Sequence, residues 1–361
     1  MTDYYIENRL PKEEEIVEIL ELMNDVWGKY YYEEGIWRYD RNVLDLIFKS
    51  PRQESDFYWI VKLKQTHKIV GFALVILWEV MIHNKGPYSI LYGTFITTDT
   101  ALQKQGIGTA ISKEVVEAYN RHKFIGSIFN VEETSVALKT ISKERWKRMI
   151  TIRSSDIAYI RPLNLQKKGK LMDMKWYEKI GAKLIQGAKK STDPNIRPVR
   201  LQDIEAITLL LNSYSNTVDI ARIWKEGELK TYITSPMYRG KVYLIESKVK
   251  AVISAMVYSL YSKGVIVKIA VIENSHYGHI GSKVQKELIK SLLYDLKMEG
   301  IAAAIDFGVG YRDLTPLKKN RFLSYPRKMA TYMVARPDWN LDSEPFNLLK
   351  EDEEKVYIEV T

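Results

Sequence analysis

Cysteine is absent from this chain of 361 residues. Its absence excludes disulfide bonds, thiolate zinc sites and a cysteine nucleophile. Long apolar runs are missing too: the longest, 69–82, is interrupted by Trp78 and Glu79, whereas a membrane-spanning helix needs roughly 20 apolar residues. Residues 1–7 lack the basic segment followed by an apolar one that marks a secretory signal. We therefore expect a cytoplasmic protein with no membrane partner.

The net charge of +9 is unevenly distributed along the chain. Residues 341–361 carry a net charge of −5, whereas residues 143–200 contain sixteen Lys and Arg against five Asp and Glu. A basic segment of this kind fits a nucleic-acid surface, a solvated linker or attraction for a polyanionic cofactor. Bulk charge is a weak guide to a specific partner, so nucleic acid is not our prediction.

The order of predicted elements occurs twice along the chain. Each copy reads as an amphipathic helix, a second short helix, three strands, a glycine turn, a helix and a last strand. The offset between equivalent positions shrinks from 188 residues (Asn24 and Asn212) to 173 (Gly108 and Gly281), as expected for a shorter second copy. The predicted strands are 58–63, 69–82, 89–98 and 125–131 in the first copy, and 242–246, 251–261, 264–271 and 302–307 in the second.

This repeat predicts an α/β fold with a mixed sheet in two tandem domains, the second a degenerate copy of the first. The predicted domains are residues 1–164 and 196–340. A basic helical linker, 165–195, lies between them, and an acidic C-terminal tail, 341–361, follows. A homodimer is compatible with this layout.

The strongest local signal is a strand followed by a short loop, the turn Gln103–Gly108 and an amphipathic helix. Unpaired amides at a helix N-terminus and the helix dipole favour an anion, and glycines at 106 and 108 let a pyrophosphate approach the backbone. A nucleotide P-loop would need Lys and Ser or Thr after Gly108, where Thr109-Ala110 stands. A dinucleotide-binding fold would place its first glycine directly after the strand, where 99–105 intervene.

The stretch 96–109 resembles the central cofactor motif of the GNAT acyltransferase superfamily, and the resemblance extends over most of residues 5–164. It implies an N-acyltransferase that transfers acetyl, or another acyl group, from coenzyme A to an amine of a small molecule or a protein. It also implies that pyrophosphate binds the amides of 104–109 and that pantetheine runs along 96–98 against a splayed strand, 125–131. The implied cofactor-binding residues are Ile96, Thr97, Thr98, Gln103, Lys104, Gln105, Gly106, Ile107, Gly108 and Thr109.

The second copy departs from this motif. His276–Gly281 replaces Gln103–Gly108, and His279 stands where the first glycine belongs. The two histidines lie three residues apart but have no nearby carboxylate beyond Glu273, so we predict loop histidines, no metal and one cofactor per chain.

The tandem layout with a basic linker also resembles the N-myristoyltransferases, and 354–361 loosely resembles their ending, whose C-terminal carboxylate acts as base. Their cofactor turn lacks the Gly-x-Gly found here, so acetyl-CoA is the predicted donor.

Direct acyl transfer needs a base for the amine and donors for the oxyanion. Candidate bases are Glu132, at the end of the splayed strand, and Glu79, on the preceding hairpin strand. The 135–138 turn matches the family's segment before an acid tyrosine, but Lys139 occupies the tyrosine position, and Tyr177 lies late in the chain. The alternative is a non-catalytic module that senses acyl-CoA or associates with nucleic acid.

Overall fold

A computed structural model describes most of the chain. The residues described are 3–30, 36–51, 57–102, 104–132, 148–164, 188–262, 265–307, 313–336, 338–350 and 353–357. Gln103, the 135–139 segment, Tyr177 and most of the predicted linker lie outside them. Across the described ranges, no helix is both long enough and apolar enough to cross a bilayer.

The described residues form seven α-helices and fifteen strands. The helices are α1 (Glu13–Tyr30), α2 (Arg41–Phe48), α3 (Ile107–His122), α4 (Ile204–Asn212), α5 (Glu226–Thr234), α6 (Ser282–Met298) and α7 (Thr315–Lys319). The strands are β1 (Tyr4–Asn8), β2 (Ile36–Arg38), β3 (Tyr58–Leu63), β4 (Ile69–Ile82), β5 (Lys85–Thr98), β6 (Gly126–Glu132), β7 (Met149–Pro162), β8 (Ile196–Pro198), β9 (Ile220–Ile223), β10 (Tyr238–Ile245), β11 (Lys248–Ser262), β12 (Val265–His276), β13 (Ala303–Asp306), β14 (Leu323–Ala335) and β15 (Val356–Tyr357).

One mixed sheet runs through both copies, in the order β1-β3-β4-β5-β6-β14-β7-β13-β12-β11-β10-β8. The predicted α/β class is therefore confirmed, and the predicted bounds of β3 and β4 match the observed ones. Apolar faces of α1 and α3 pack on opposite sides of the first half of the sheet, with Ile19 and Ile111 fully buried. The domain boundaries themselves remain a prediction.

The two copies exchange strands. Strand β7, from the first copy, pairs with β13 of the second, and β14, from the second copy, pairs with β6 of the first. Strands β7 and β14 also pair with each other at the centre of the sheet. Two short strands also pair with a strand of the other copy: β2 pairs with β11, and β9 pairs with β4. Each half of the sheet is therefore completed by the other copy.

Two asparagines show that the copies share a local design. The Asn24 side chain donates to the Tyr39 carbonyl at 2.8 Å and accepts the Tyr39 N–H at 2.9 Å. Asn212 makes the same pair of bonds with the backbone of Trp224, at 2.9 and 2.8 Å. Each side chain therefore fixes the chain that follows the first helix of its copy.

A buried arginine lies where the copies meet. Arg222, on β9, has its guanidinium 4.1 Å from the ring centroid of Trp78 and 3.6 Å from that of Trp224. Tyr92 stacks on Trp78 with centroids 3.6 Å apart. Glu228 lies 3.6 Å from Arg222, and both side chains are 2% exposed. Cation–π contacts of this kind gain strength when the cation is desolvated.

The predicted acidic tail packs against the fold where it is described. Phe346, Val356 and Tyr357 are buried, and the Trp224 indole N–H donates to the Tyr357 hydroxyl at 3.1 Å. Strand β15 pairs in parallel with β9. Apolar residues between the acids therefore anchor this part of the tail.

Candidate functional site

Strands β5 and β6 separate part-way along their length. They pair in parallel only where Leu91 and Tyr92 face Ser127 and Ile128. Beyond this point β5 stays paired with β4 as far as Thr98, and β6 stays paired with β14. A bulge in the β4–β5 ladder falls at the same place. A gap therefore opens between two parallel strands, as the resemblance implies.

The turn after β5 contains two residues with a left-handed backbone. Gly106 is the N-cap residue of α3 and has a φ of +87°, and Lys104 has a φ of +65°. Left-handed residues in a turn bring successive N–H groups to one side, which makes a concavity for an anion. The first N–H groups of α3 lack intrahelical acceptors as well. The turn therefore concentrates donors beside the positive end of a helix dipole.

The glycines of this turn face open space. A Cβ atom built on Gly106 or Gly108 would have no heavy atom of the described residues around the turn within 4 Å. Packing within the chain therefore does not require glycine at Gly108, whereas a Cβ on Gly278 would lie 2.4 Å from the Lys250 carbonyl oxygen. A depression of about 370 Å³ lies in front of the turn and is lined by Thr98, Leu102, Lys104, Gly106, Ile107, Gly108, Thr109 and Ser112.

Six of the ten predicted cofactor residues line this depression, and two of its residues were not predicted. Ser112 lies one helical turn after Gly108, and its hydroxyl donates to the Gly108 carbonyl at 2.8 Å. Its position four residues after a glycine of the motif was the signal in the sequence, because residues four apart lie on the same helix face. Leu102 carries no comparable signal. The cofactor roles of the ten residues remain predictions.

The two faces of β5 have different neighbours. Ile96 packs with the core beneath α3, whereas Phe95 packs with the core beneath α1. Thr97 is 1% exposed, and its hydroxyl accepts the indole N–H of Trp27 at 2.9 Å. The Tyr39 ring lies 5.9 Å from Trp27 and 5.3 Å from Phe95, centroid to centroid. Aromatic side chains therefore cover the α1 face of the strand beside the gap.

The two candidate bases lie on opposite sides of the point where the strands join. Glu132 is four residues beyond Ile128 on β6, and Ile96 is four residues beyond Tyr92 on β5, so their backbones flank the open gap. Glu79 pairs with Ser89 in the β4–β5 ladder, on the other side of the β5–β6 junction from the gap. Its carboxylate forms an ion pair with Lys225 at 3.0 Å. This placement favours Glu132 over Glu79 as a base.

The equivalent turn of the second copy is built differently. Helix α6 has Gly281 as its N-cap residue, so Gly281 corresponds to Gly106 rather than to Gly108. The connection is shorter because β12 ends at His276, five residues before the cap, whereas β5 ends eight residues before it. Apolar periodicity defines a helix face but not its first residue.

His276 is held within the fold by both ring nitrogens. Its Nδ1 accepts the Gly278 N–H at 3.0 Å, and its Nε2 lies 3.0 Å from the Ser213 hydroxyl. With Nδ1 as acceptor, the neutral ring carries its proton on Nε2. Burial, followed by repulsion from His279, lowers the pKa of His276 to about 4.

Stability should fall as the solution is acidified through this range. An unfolded histidine binds a proton below about pH 6.5, whereas folded His276 resists protonation down to about pH 4, so stability is full above 6.5 and declines below it. We expect a loss on the order of 1 kcal/mol between pH 7 and pH 5, with allowance for the ring's partial exposure. Urea denaturation at both pH values measures it. His276→Gln should flatten the dependence; an equal loss in wild type and variant would contradict the assignment.

Comparison with known proteins shows which solved structures share this fold. No family model matches the sequence, and no curated protein matches it. A crystal structure of Saccharomyces cerevisiae N-myristoyltransferase with bound myristoyl-CoA matches with a TM-score of 0.77 and 14% identity, over 100% of this chain and 90% of that one. A second structure of the yeast enzyme with myristoyl-CoA gives 0.76 and 15%, over 100% and 86%.

A more distant match is a conserved protein of unknown function from Enterococcus faecalis V583, described as a probable N-acyltransferase. Its TM-score is 0.52 at 12% identity, over 93% of this chain and 74% of that one. At these identities the comparison establishes the fold. The chain has the fold of N-myristoyltransferase, with two GNAT-like halves that together cover its whole length.

Proposed function

We propose that this chain is an N-acyltransferase that takes an acyl group from acyl-coenzyme A and transfers it to an amine. The observation that carries the proposal is the gap between β5 and β6, which opens beside a glycine-lined helix N-terminus at the end of β5. A pyrophosphate fits the donors of that turn, and an extended pantetheine arm fits the free edge of a strand.

The residues of the depression fit a polyanionic ligand. The exposed Lys104 supplies a cation, and the amides of 104–109 supply donors next to the open space in front of Gly106 and Gly108. Bound acyl-coenzyme A would supply the thioester. The chain's own contribution is to hold the phosphates, to place donors near Ile96 and Thr97 for a developing oxyanion, and to remove a proton from the amine.

Glu132 is the proposed base because its backbone lies across the gap from Ile96. An ionised carboxylate there would take the proton that the attacking nitrogen loses. The amine, whether on a small molecule or on a protein, would then reach the thioester from the open end of the gap.

Acetyl is the proposed acyl group. Supporting it, the half-buried rings of Trp27, Tyr39 and Phe95 cluster on the α1 face of β5, and the Trp27–Thr97 hydrogen bond holds this cluster against the strand. On the other face, Ile96 packs into the core beneath α3. A long acyl chain would need space beside these half-buried side chains, which an acetyl group would not need. The yeast enzyme was crystallised with myristoyl-CoA, so the donor has to be tested directly.

The test measures thiol release from acetyl-, octanoyl- and myristoyl-CoA with a panel of small amines and peptides. We expect turnover that requires an amine and is at least 10-fold faster with acetyl-CoA than with myristoyl-CoA. Glu132→Gln should lower kcat by about 100-fold, as loss of a general base does, with little change in KM for acyl-CoA. Glu79→Gln, the matched variant of the other candidate, should lower it less than 5-fold.

Each alternative has its own outcome. Tight coenzyme A binding without turnover on any amine or peptide would favour the non-catalytic sensor. Faster turnover with myristoyl-CoA would overturn the acetyl assignment while leaving the acyltransferase proposal intact. A larger effect of Glu79→Gln than of Glu132→Gln would transfer the role of base to Glu79.

A further inference from the structure

Three residues that are distant in sequence meet at the far end of the β4–β5 hairpin. His83 lies in the two-residue turn of that hairpin, Asp219 directly precedes β9, and Glu354 directly precedes the segment that carries β15. One ligand atom from each residue lies within 4.8 Å of the other two. The site therefore draws on the first copy, the second copy and the C-terminal segment.

One oxygen of each carboxylate accepts a hydrogen bond from a backbone N–H. Asp219 accepts the Lys355 N–H at 2.8 Å through Oδ2, and Glu354 accepts the Lys350 N–H at 2.6 Å through Oε1. The His83 N–H in turn donates to the Asp219 carbonyl at 2.6 Å. These hydrogen bonds fix the orientation of both carboxylates, as hydrogen bonds to metal ligands do in known metal sites.

The other oxygen of each carboxylate lies near the imidazole of His83. Asp219 Oδ1 lies 3.7 Å from His83 Nδ1, and Glu354 Oε2 lies 3.1 Å from His83 Nε2. Although Oε2 and Nε2 are this close, neither makes a hydrogen bond with any residue that the structure describes, and the Glu354 side chain is only 2% exposed. A buried carboxylate oxygen without a hydrogen bond is costly unless a cation neutralises it.

We propose that His83, Asp219 and Glu354 bind a divalent transition-metal ion such as Zn²⁺. Imidazole nitrogen and carboxylate oxygen are ligands that such ions accept. One imidazole offers a single ion only one nitrogen. With Nε2 as that ligand, its 3.1 Å separation from Glu354 Oε2 suits two ligands about 2.1 Å from one ion, and Asp219 Oδ1, which faces Nδ1, would move toward Nε2 to complete the site. The ion would neutralise two carboxylates that the fold brings together. This site is separate from the depression at Gly106 and does not depend on the acyltransferase proposal.

The ion's role is to hold the C-terminal segment in place. Two residues after Glu354, Val356 is buried in the core cluster that contains Ile82, and Tyr357 is buried in the core beneath α4. Since the ligands come from both copies and from this segment, binding would stabilise their docking together.

The test uses the full-length protein, freed of metal with a chelator that is then removed. Isothermal titration with Zn²⁺ should give one site per chain, and Zn²⁺ at about 100 times Kd should raise Tm by about 3 to 4 °C. Titration with Co²⁺ should produce visible absorption bands that report the ligand set without relying on stability. Glu354→Gln should weaken binding at least 10-fold, whereas His67→Gln, at an exposed histidine outside the site, should not.

Two results would overturn the proposal. The first is the absence of a stoichiometric site for either ion in wild type. The second is unchanged Co²⁺ affinity in folded Glu354→Gln. If Glu354→Gln does not fold, His83→Gln replaces it under the same criteria.

Discussion

Replacing Gly108 with aspartate is expected to weaken coenzyme A binding by at least about 100-fold while leaving the fold intact. The new carboxylate would stand in the open space in front of the turn and repel a pyrophosphate, and like charges in contact cost several kcal/mol. Aspartate in the first turn of a helix is itself favourable by about 0.5 kcal/mol, so lost binding cannot be attributed to unfolding. Isothermal titration with coenzyme A and urea denaturation measure the two effects.

Two control variants isolate the charge and the site. Gly108→Asn adds a side chain of nearly the same size without charge and should lose much less affinity. Gly281→Asp places the same carboxylate at the start of α6, where a Cβ also meets open space, and should leave affinity unchanged. Wild-type affinity in Gly108→Asp would refute the pyrophosphate site, and a marked loss in Gly281→Asp would indicate a second one.

Replacing Arg222 with alanine is expected to lower the free energy of unfolding by about 4 kcal/mol. The variant leaves Glu228 buried without its cation and removes the guanidinium between Trp78 and Trp224. Arg222→Lys should cost about 2 kcal/mol, because an ammonium cannot stack as a planar guanidinium does. Urea denaturation with tryptophan fluorescence measures both.

The double variant Arg222→Met/Glu228→Gln should be more stable than Arg222→Ala, because it removes both charges and keeps the volume. Arg239→Ala, which breaks the more exposed pair with Glu299, should cost less than 1 kcal/mol. If Arg222→Ala lies within 1 kcal/mol of wild type, the buried stack contributes little to joining the copies.

Local patterns in the sequence predicted local features well. The bounds of β3 and β4 followed from β-rich runs between polar turns, and the equivalence of Asn24 and Asn212 followed from the repeat. The glycine turn could be found because its loop, glycines and helix are contiguous.

Features that depend on distant pairing were not predictable in this way. Strand β14 has no place in the predicted repeat, and its partners β6 and β7 lie more than 150 residues earlier. Periodicity shows which face of a strand is buried, not which strand lies beside it. The same limit applies to His83, Asp219 and Glu354, since each is an ordinary polar residue until the fold brings them together.

The exchange of β7 and β14 between the copies constrains when the chain can fold during its synthesis. The first half of the sheet needs β14, which ends at Ala335, so it stays open at one edge until most of the 361 residues have been synthesised. An unpaired strand edge is prone to associate with other chains. We expect nascent chains that end before residue 323 to be bound by chaperones, and the first half of the sheet to close only after β14 has emerged from the ribosome.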